Sequence, residues 1–404
     1  MPARQEPGTP EGSLCPAPAG SAPRRRRLRR RLRNPAFMLA VGLVLVLLGG
    51  FGAGLVKTAG GSITVRQLRW ETGSGHELAA ELFIPKNATP DHPAPAIACS
   101  HGWQVNSEYQ EAFYIEFARR GYVVVAIDMY GHGDSEAVAF NTWWSEDGAT
   151  GANGLYDAVQ MLAGLPFVDA DQIGVTGHSN GGTATNLSVL LDNEAPAPLI
   201  DAALIVANEP LATRDQTLVG AYLREDSGDF HNPYGGRDVG VIAGQYDEVF
   251  HRYQWADGTV DPARDFVTGP TAQSFLHFGA DPAGLPERSG DAVYRQTIDG
   301  QDAMRVIFNP TAVHNLLFIA PSVVADAINF FEQALPAPHP LPAGNQIAPW
   351  KPIASAVGAA GLMIVFVSFF LVMLRTRYFG VLAAPGPWRR PRRPGGAGSG
   401  CGPA

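Results

Sequence analysis

The 404-residue sequence predicts an α/β protein with a mostly parallel central sheet, flanked by two transmembrane helices. Three observations carry this expectation. Between residues 62 and 335, short β-branched or apolar runs alternate with helical periodicity and show no internal repeat. The run Tyr122–Ile127 lacks polar alternation, as a strand covered on both faces does. Finally, Pro35–Val56 and Pro352–Leu374 run for 22 and 23 residues without a charge, and a spanning helix needs roughly 20.

The elements follow in order. Residues 1–34 hold nine Arg and two Glu among Pro and Gly, and read as a basic disordered tail. Residues 35–56 are expected to be an uncleaved transmembrane anchor, because the apolar core outruns a signal peptide's and no A-x-A site follows it. Ile63–Trp70 and Leu78–Ile84 read as a hairpin around Gly73–Gly75. Ala94–Cys99 is a short strand ending in Ser100-His101-Gly102, and Glu108–Arg120 is a helix stopped by Gly121. After the strand Tyr122–Ile127 come a helix at Gly154–Leu165, a strand at Ile173–Thr176 and a helix at Gly181–Leu191. Ala202–Ala207, Val239–Ala243 and Met304–Phe308 add three strands, and Ser322–Leu335 adds the last helix of this domain. Two connections, 209–237 and 248–300, exceed the roughly 12–15 residues usual for a structureless loop. They carry Tyr222, Phe230, Tyr234, Tyr253, Trp255, Phe266, Phe275 and Phe278, which fit either a lid or insertions packed on the sheet. Residues 352–374 form the second transmembrane helix, and 375–404 a second basic disordered tail with six Arg and no acid.

Charge separates these parts. The whole chain has a net charge of −8, but residues 35–374 carry 15 basic and 36 acidic side chains. A nucleic-acid partner is disfavoured, since the folded part is strongly acidic. Arginine clusters stay cytoplasmic, so both termini are expected inside and residues 57–351 form an extracytoplasmic domain. The tails can meet anionic headgroups of the lipid bilayer, at about 1 kcal/mol per Arg. Cys15, Cys99 and Cys401 are too few and too scattered for a disulfide scaffold. No H-E-x-x-H or paired-cysteine spacing calls for a metal, and nothing calls for a cofactor.

The chemistry concentrates at Gly177-His178-Ser179-Asn180-Gly181-Gly182. A bare G-x-S-x-G arises by chance in roughly one chain in five of this composition. The setting carries more weight, because the motif leaves a strand and opens a helix, as a nucleophile elbow requires. Flanking glycines permit a cramped turn that leaves the Ser side chain standing above the sheet.

With that motif the chain resembles the α/β-hydrolase superfamily over about residues 62–335, closest to its serine aminopeptidase and dienelactone-hydrolase-like branches. The resemblance implies an α/β-hydrolase fold with Ser179 as nucleophile. The acid turn would be Gly244-Gln245-Tyr246-Asp247-Glu248, and the histidine loop Asn309-Pro310-Thr311-Ala312-Val313-His314. Asp128-Met129-Tyr130-Gly131-His132-Gly133-Asp134-Ser135 resembles the family's D-x-x-G-x-G-x-S loop. In these roles His314 removes the serine proton, Asp247 orients the imidazole, and the N–H groups of Trp103 and Asn180 form the oxyanion hole. Glu248 and Glu209 are rival acids, the latter placed where some relatives carry theirs. His101, His132 and His178 sit in turns and read as structural, with His101 fixing the oxyanion loop.

The implied function is a membrane-anchored serine hydrolase that cleaves a small-molecule carboxylic ester or amide through an acyl-enzyme. A serine peptidase acting on small peptides is the alternative. A catalytically idle hydrolase fold used as a binding module would be marked by a missing triad residue, and none is missing. The sequence sets no oligomeric state.

Overall fold

The computed structural model describes residues 34–73, 75–138, 152–213, 229–252 and 257–383. Most of both basic tails, with Cys15 and Cys401, lie outside the described residues, as do Tyr222, Tyr253 and Trp255. Two units are present: one is built from residues up to Gly50 and from Ser355 onward, and the other is Phe51–Ala354.

Nine strands form one mixed sheet in the order β1-β2-β4-β3-β5-β6-β7-β9-β8. The strands are β1 Ile63–Glu71, β2 Glu77–Pro85, β3 Ala94–Ser100, β4 Val123–Asp128, β5 Val168–His178, β6 Ile200–Val206, β7 Asp238–Ile242, β8 Tyr294–Ile298 and β9 Gln301–Phe308. β1 and β2 pair antiparallel, as the expected hairpin does, and β2 pairs antiparallel with β4. From β4 through β9 the neighbours run parallel. All residues of β3 and β4 are buried, which explains the unbroken apolar runs there. The sheet is mostly parallel, as the alternation of elements in the sequence predicts.

The longer connection is structured, as its length suggests, and adds a strand not expected from the sequence. Segment 248–300 carries its own elements, the helix Pro270–Leu276 and the edge strand β8. β8 folds back on β9 with Ile298 opposite Gln301, across Asp299 and Gly300 at φ 51° and 86°. Positive φ at both turn residues is what an Asp-Gly hairpin provides. Among the described aromatics of the two connections, Tyr234, Phe250, Phe266, Phe275 and Phe278 are buried. Three of them surround the fully buried Arg305 guanidinium, with Tyr234, Phe275 and Phe278 at 5.5, 5.7 and 5.0 Å.

Helices cover both faces. We number them α1 Pro35–Lys57, α2 Glu111–Arg119, α3 Leu155–Ala163, α4 Asn180–Glu194, α5 Pro270–Leu276, α6 Pro321–Ala334 and α7 Trp350–Met373. α3, α4 and α5 pack into one core with Leu155, Val159, Ala184, Val189 and Phe275. α2 and α6 fill the other with Phe113, Phe117, Val323, Ala327 and Phe331, residues spaced to share one helical face. Phe331, fully buried and edge-on to Phe117 at 5.1 Å, is worth roughly 1.5–3 kcal/mol.

Because β3 lies between β4 and β5, the chain leaves β3 toward one face and β5 toward the other. Diverging connections open a crevice at the carboxyl ends of those strands, where open α/β sheets bind ligands. Ser100 pairs with Gly177, and the row continues through His178–Val206 and Ile242–Phe308. Every expected site residue falls within a few positions of that row.

Buried charges tie the segment after α6 back onto α2. Glu116 and Arg120 are both fully buried and paired at 3.0 Å. Glu116 Oε1 accepts the N–H groups of Ile347 and Ala348, and Arg120 Nη2 donates to Leu341 O and Pro342 O. Glu116→Ala leaves Arg120 with the partly exposed Glu332, at 3.3 Å, as its carboxylate partner among the described residues. The expected loss is about 3 kcal/mol, because removing one partner strands the other charge. Thermal unfolding checks this, with a Tm drop of at least about 6 °C expected.

α1 and α7 are long and apolar enough to cross a membrane. Their contact is made by glycine: a Cβ on Gly361 would lie 2.7 Å from Val46 N, and one on Gly42 would lie 2.9 Å from Gly361 O. The opposite faces present Leu47, Phe51, Leu362, Met363 and Phe366 uncovered.

Candidate active site

Ser179 stands between β5 and α4 with φ 58° and ψ −116°, a conformation that L-residues rarely adopt. Backbone bonds hold it there: its N–H donates to Val206 O at 2.9 Å, and its carbonyl accepts from Gly182 N at 2.8 Å. The carbonyl also accepts from Asn208 Nδ2 at 2.8 Å. Two glycines of the motif are required by contact. A Cβ on Gly177 would lie 2.2 Å from Gly181 O, and one on Gly181 would lie 2.4 Å from Ser100 O.

His314 and Asp247 meet across 67 residues of sequence. The imidazole Nδ1 donates to Asp247 Oδ2 at 2.9 Å and to Oδ1 at 3.1 Å, which leaves Nε2 as the proton-accepting atom. Asp247 is 2% exposed, and its Oδ1 also accepts from Val249 N and Phe250 N at 2.8 and 2.9 Å. Burial alone would raise its pKa. Interactions with His251 and His314 outweigh burial and hold the carboxyl well below the usual range.

The rival acids have other partners. Glu248 Oε2 accepts the backbone N–H of His314 at 3.0 Å, and so holds the loop rather than the ring. Glu209, 3% exposed, accepts from His251 N at 3.3 Å.

His178 brings the elbow to the histidine loop. Its ring lies 4.7 Å from that of His314, and its Nε2–H donates to His314 O at 3.0 Å. Burial, with the His314 ring beside it, lowers its pKa to about 3, so it stays neutral. Ser179 Oγ makes no hydrogen bond to His314 Nε2 among the described residues, and such contacts often tighten only in the Michaelis complex.

The loop after β3 lies against the elbow, since a Cβ on Gly102 would be 3.5 Å from Ser179 Cβ. His101 fixes it: Nδ1–H donates to Gly102 O at 2.6 Å, and Nε2 accepts from Met129 N at 3.0 Å. Burial lowers the His101 pKa to about 4, consistent with that neutral tautomer. His132 Nε2 accepts Gln104 N one residue past Trp103. The D-x-x-G-x-G-x-S loop supports both, with Asp128 accepting Ser107 N and Asp134 N and leaving no room for a Cβ on Gly133. Asn180, the first residue of α4, carries an N–H that the helix does not engage. The Trp103 side chain is half exposed.

The sequence reading missed Asn208, which holds the elbow carbonyl, and His251, fully buried beside Asp247. Neither carries a motif or a periodic signal. Only contact across the fold reveals them.

Comparison with known proteins finds partial likenesses. The family described as X-Pro dipeptidyl-peptidase (S15 family) matches residues 74–213, a stretch that includes Ser179 but neither Asp247 nor His314. A non-heme chloroperoxidase of Burkholderia pyrrocinia is 29% identical over 141 residues, or 35% of this chain. The match spans 45% of that relative, less than half its length. The Pyrococcus furiosus esterase Pf2001 superposes with a TM-score of 0.43 at 15% identity, over 69% of this chain and 96% of its own. Est1E of Butyrivibrio proteoclasticus, solved with ferulic acid, gives 0.42 at 17% identity, over 66% and 98%. The S15-family match and the curated relative each cover about a third of this chain, and the family match contains the Ser179 elbow.

Proposed function

We propose that this chain is a membrane-anchored serine hydrolase that cleaves carboxylic esters or amides through an acyl-enzyme. One observation carries the reading: Ser179 sits on a strained strand-to-helix turn beside a His314–Asp247 pair joined at 2.9 Å. Ser179 Oγ attacks the carbonyl carbon while its proton passes to His314 Nε2. The oxyanion meets the N–H groups of Trp103 and Asn180, each worth about 10²–10³ in rate. His314 then returns the proton to the leaving oxygen or nitrogen as that bond breaks. Water attacks the acyl group, gives its proton to His314, and releases the acid with Ser179 restored. Asp247 keeps the imidazole in the Nδ1–H tautomer throughout.

The peptidase-family match over residues 74–213 favours a second reading, a serine peptidase acting on small peptides. A fluorophosphonate probe tests the class, with attachment to Ser179 expected by mass spectrometry. Competition of that labelling by a panel of esters, lipids and peptides separates the two readings. Labelling at another residue, or at none, refutes the assignment.

The apolar outer faces of α1 and α7 support two membrane spans, and the Arg clusters beyond them support cytoplasmic termini with the catalytic domain outside. Cysteine accessibility in intact cells checks this topology. Asp91→Cys, at an exposed position, is expected to react with an impermeant maleimide, and Cys15 and Cys401 only after lysis. Labelling of the tail cysteines in intact cells, with residue 91 silent, reverses the orientation.

A further inference from the structure

We propose that His251 is a second imidazole serving the Asp247 carboxylate, a positioning residue with N–H on both ring nitrogens. One N–H is aimed at Asp247 Oδ2 and the other at Asn208 O. The inference rests on the catalytic assignment of Ser179, Asp247 and His314 above.

The ring's surroundings decide its proton count. His251 is fully buried and held at φ 65°, a left-handed conformation unusual for a non-glycine residue. Its Nε2 lies 3.0 Å from Asn208 O, and a carbonyl only accepts, so Nε2 carries hydrogen. Its Nδ1 lies 3.6 Å from Asp247 Oδ2, slightly beyond hydrogen-bond length, and has no other partner. A lone pair there would face an anionic oxygen between two fully buried side chains, where water does not screen the repulsion. A proton on Nδ1 turns that repulsion into attraction and satisfies an otherwise orphaned buried nitrogen.

The remaining groups facing the ring are few. From the turn after β6, Glu209 Oε1 accepts the His251 backbone N–H. The Phe266 ring meets the imidazole edge at 4.7 Å. Among the described residues, Asp247 and Glu209 are thus the charged groups on His251, and both are acidic.

A second link to the elbow results. On one side Asp247 holds His314. On the other side it reaches Ser179 through His251 and Asn208, whose Nδ2 donates to Ser179 O at 2.8 Å and to Thr183 Oγ1 at 2.9 Å. Asn208 also packs where Gly182 lacks a side chain, since a Cβ there would lie 2.5 Å from Asn208 Cβ. His251 thereby fixes the acid from behind and shares its charge with His314. Without His251, the whole Asp247 charge would favour protonated His314, and the base would be lost at a higher pH.

The test is His251→Gln in the full-length chain, because Gln keeps an N–H donor for Asn208 O but carries no charge. The rate of fluorophosphonate labelling is followed from pH 5 to 9. The acid limb is expected to move up by about 0.5 pH unit or more, making labelling on that side about threefold slower. A purely structural role slows labelling without moving the limb. That result, or a shift to lower pH, overturns the proposal. Continued labelling of Ser179→Ala would instead overturn the serine assignment, so the two failures are distinct. Should His251→Gln fail to fold, ¹⁵N resonances of the native histidines decide. Two protonated nitrogens on His251 at neutral pH support the proposal, and one bare nitrogen overturns it.

Discussion

Ser179→Ala is expected to abolish fluorophosphonate labelling and to lower hydrolysis by about 10⁶, the loss seen when the nucleophile of a concerted triad is removed. The fold should survive. Residue 179 is held through its own backbone atoms: its N–H donates to Val206 O, and its carbonyl accepts from Gly182 N, Thr183 N and Asn208 Nδ2. Ala bears the same φ of 58° with the same Cβ, so the strain of the turn is unchanged. An unaltered Tm with no labelling is the expected pair of results. A folded Ser179→Ala protein that still takes up the probe would place the nucleophile elsewhere.

What the sequence made legible was local. The elbow is a strand, a turn and a helix within some twenty residues, and its glycines exist because a Cβ at 177 or 181 meets backbone within 2.4 Å. The hairpin at the front of the domain was equally clear, since Gly73 and Gly75 punctuate two β-rich runs. β8 escaped although Asp299-Gly300 announces a tight turn, because an edge strand with mostly exposed side chains lacks the apolar alternation of a strand. The aromatics of the long connections could not be assigned, since nothing in the spacing says that Tyr234, Phe275 and Phe278 gather on a buried Arg305. Glu248 illustrates the same limit. Adjacent to Asp247, it has the right chemistry for the acid, yet it points at the His314 backbone while Asp247 takes the ring.

Asp247→Asn is expected to lower kcat by about 10⁴ with little change in fold at neutral pH. The geometry specifies why. Oδ1 accepts two backbone N–H groups, from Val249 and Phe250, so the amide oxygen of Asn must occupy that position. Its NH₂ then replaces Oδ2, which faces His314 Nδ1 at 2.9 Å. Two donors cannot share that contact, so His314 switches to the Nε2–H tautomer and can no longer accept the serine proton. Neither rival carboxylate predicts such a loss: Glu248→Gln keeps an oxygen for His314 N–H, and Glu209→Gln keeps one for His251 N–H. The pH dependence of stability carries the same signature. Because the folded pKa of Asp247 is depressed, its contribution is fully present above the ordinary carboxylate pKa of about 4 and fades as pH falls toward its folded value. The gap in Tm between wild type and Asp247→Asn should therefore narrow below about pH 4. A large loss of kcat in Glu209→Gln, with Asp247→Asn near wild type, would move the acid from β7 to β6.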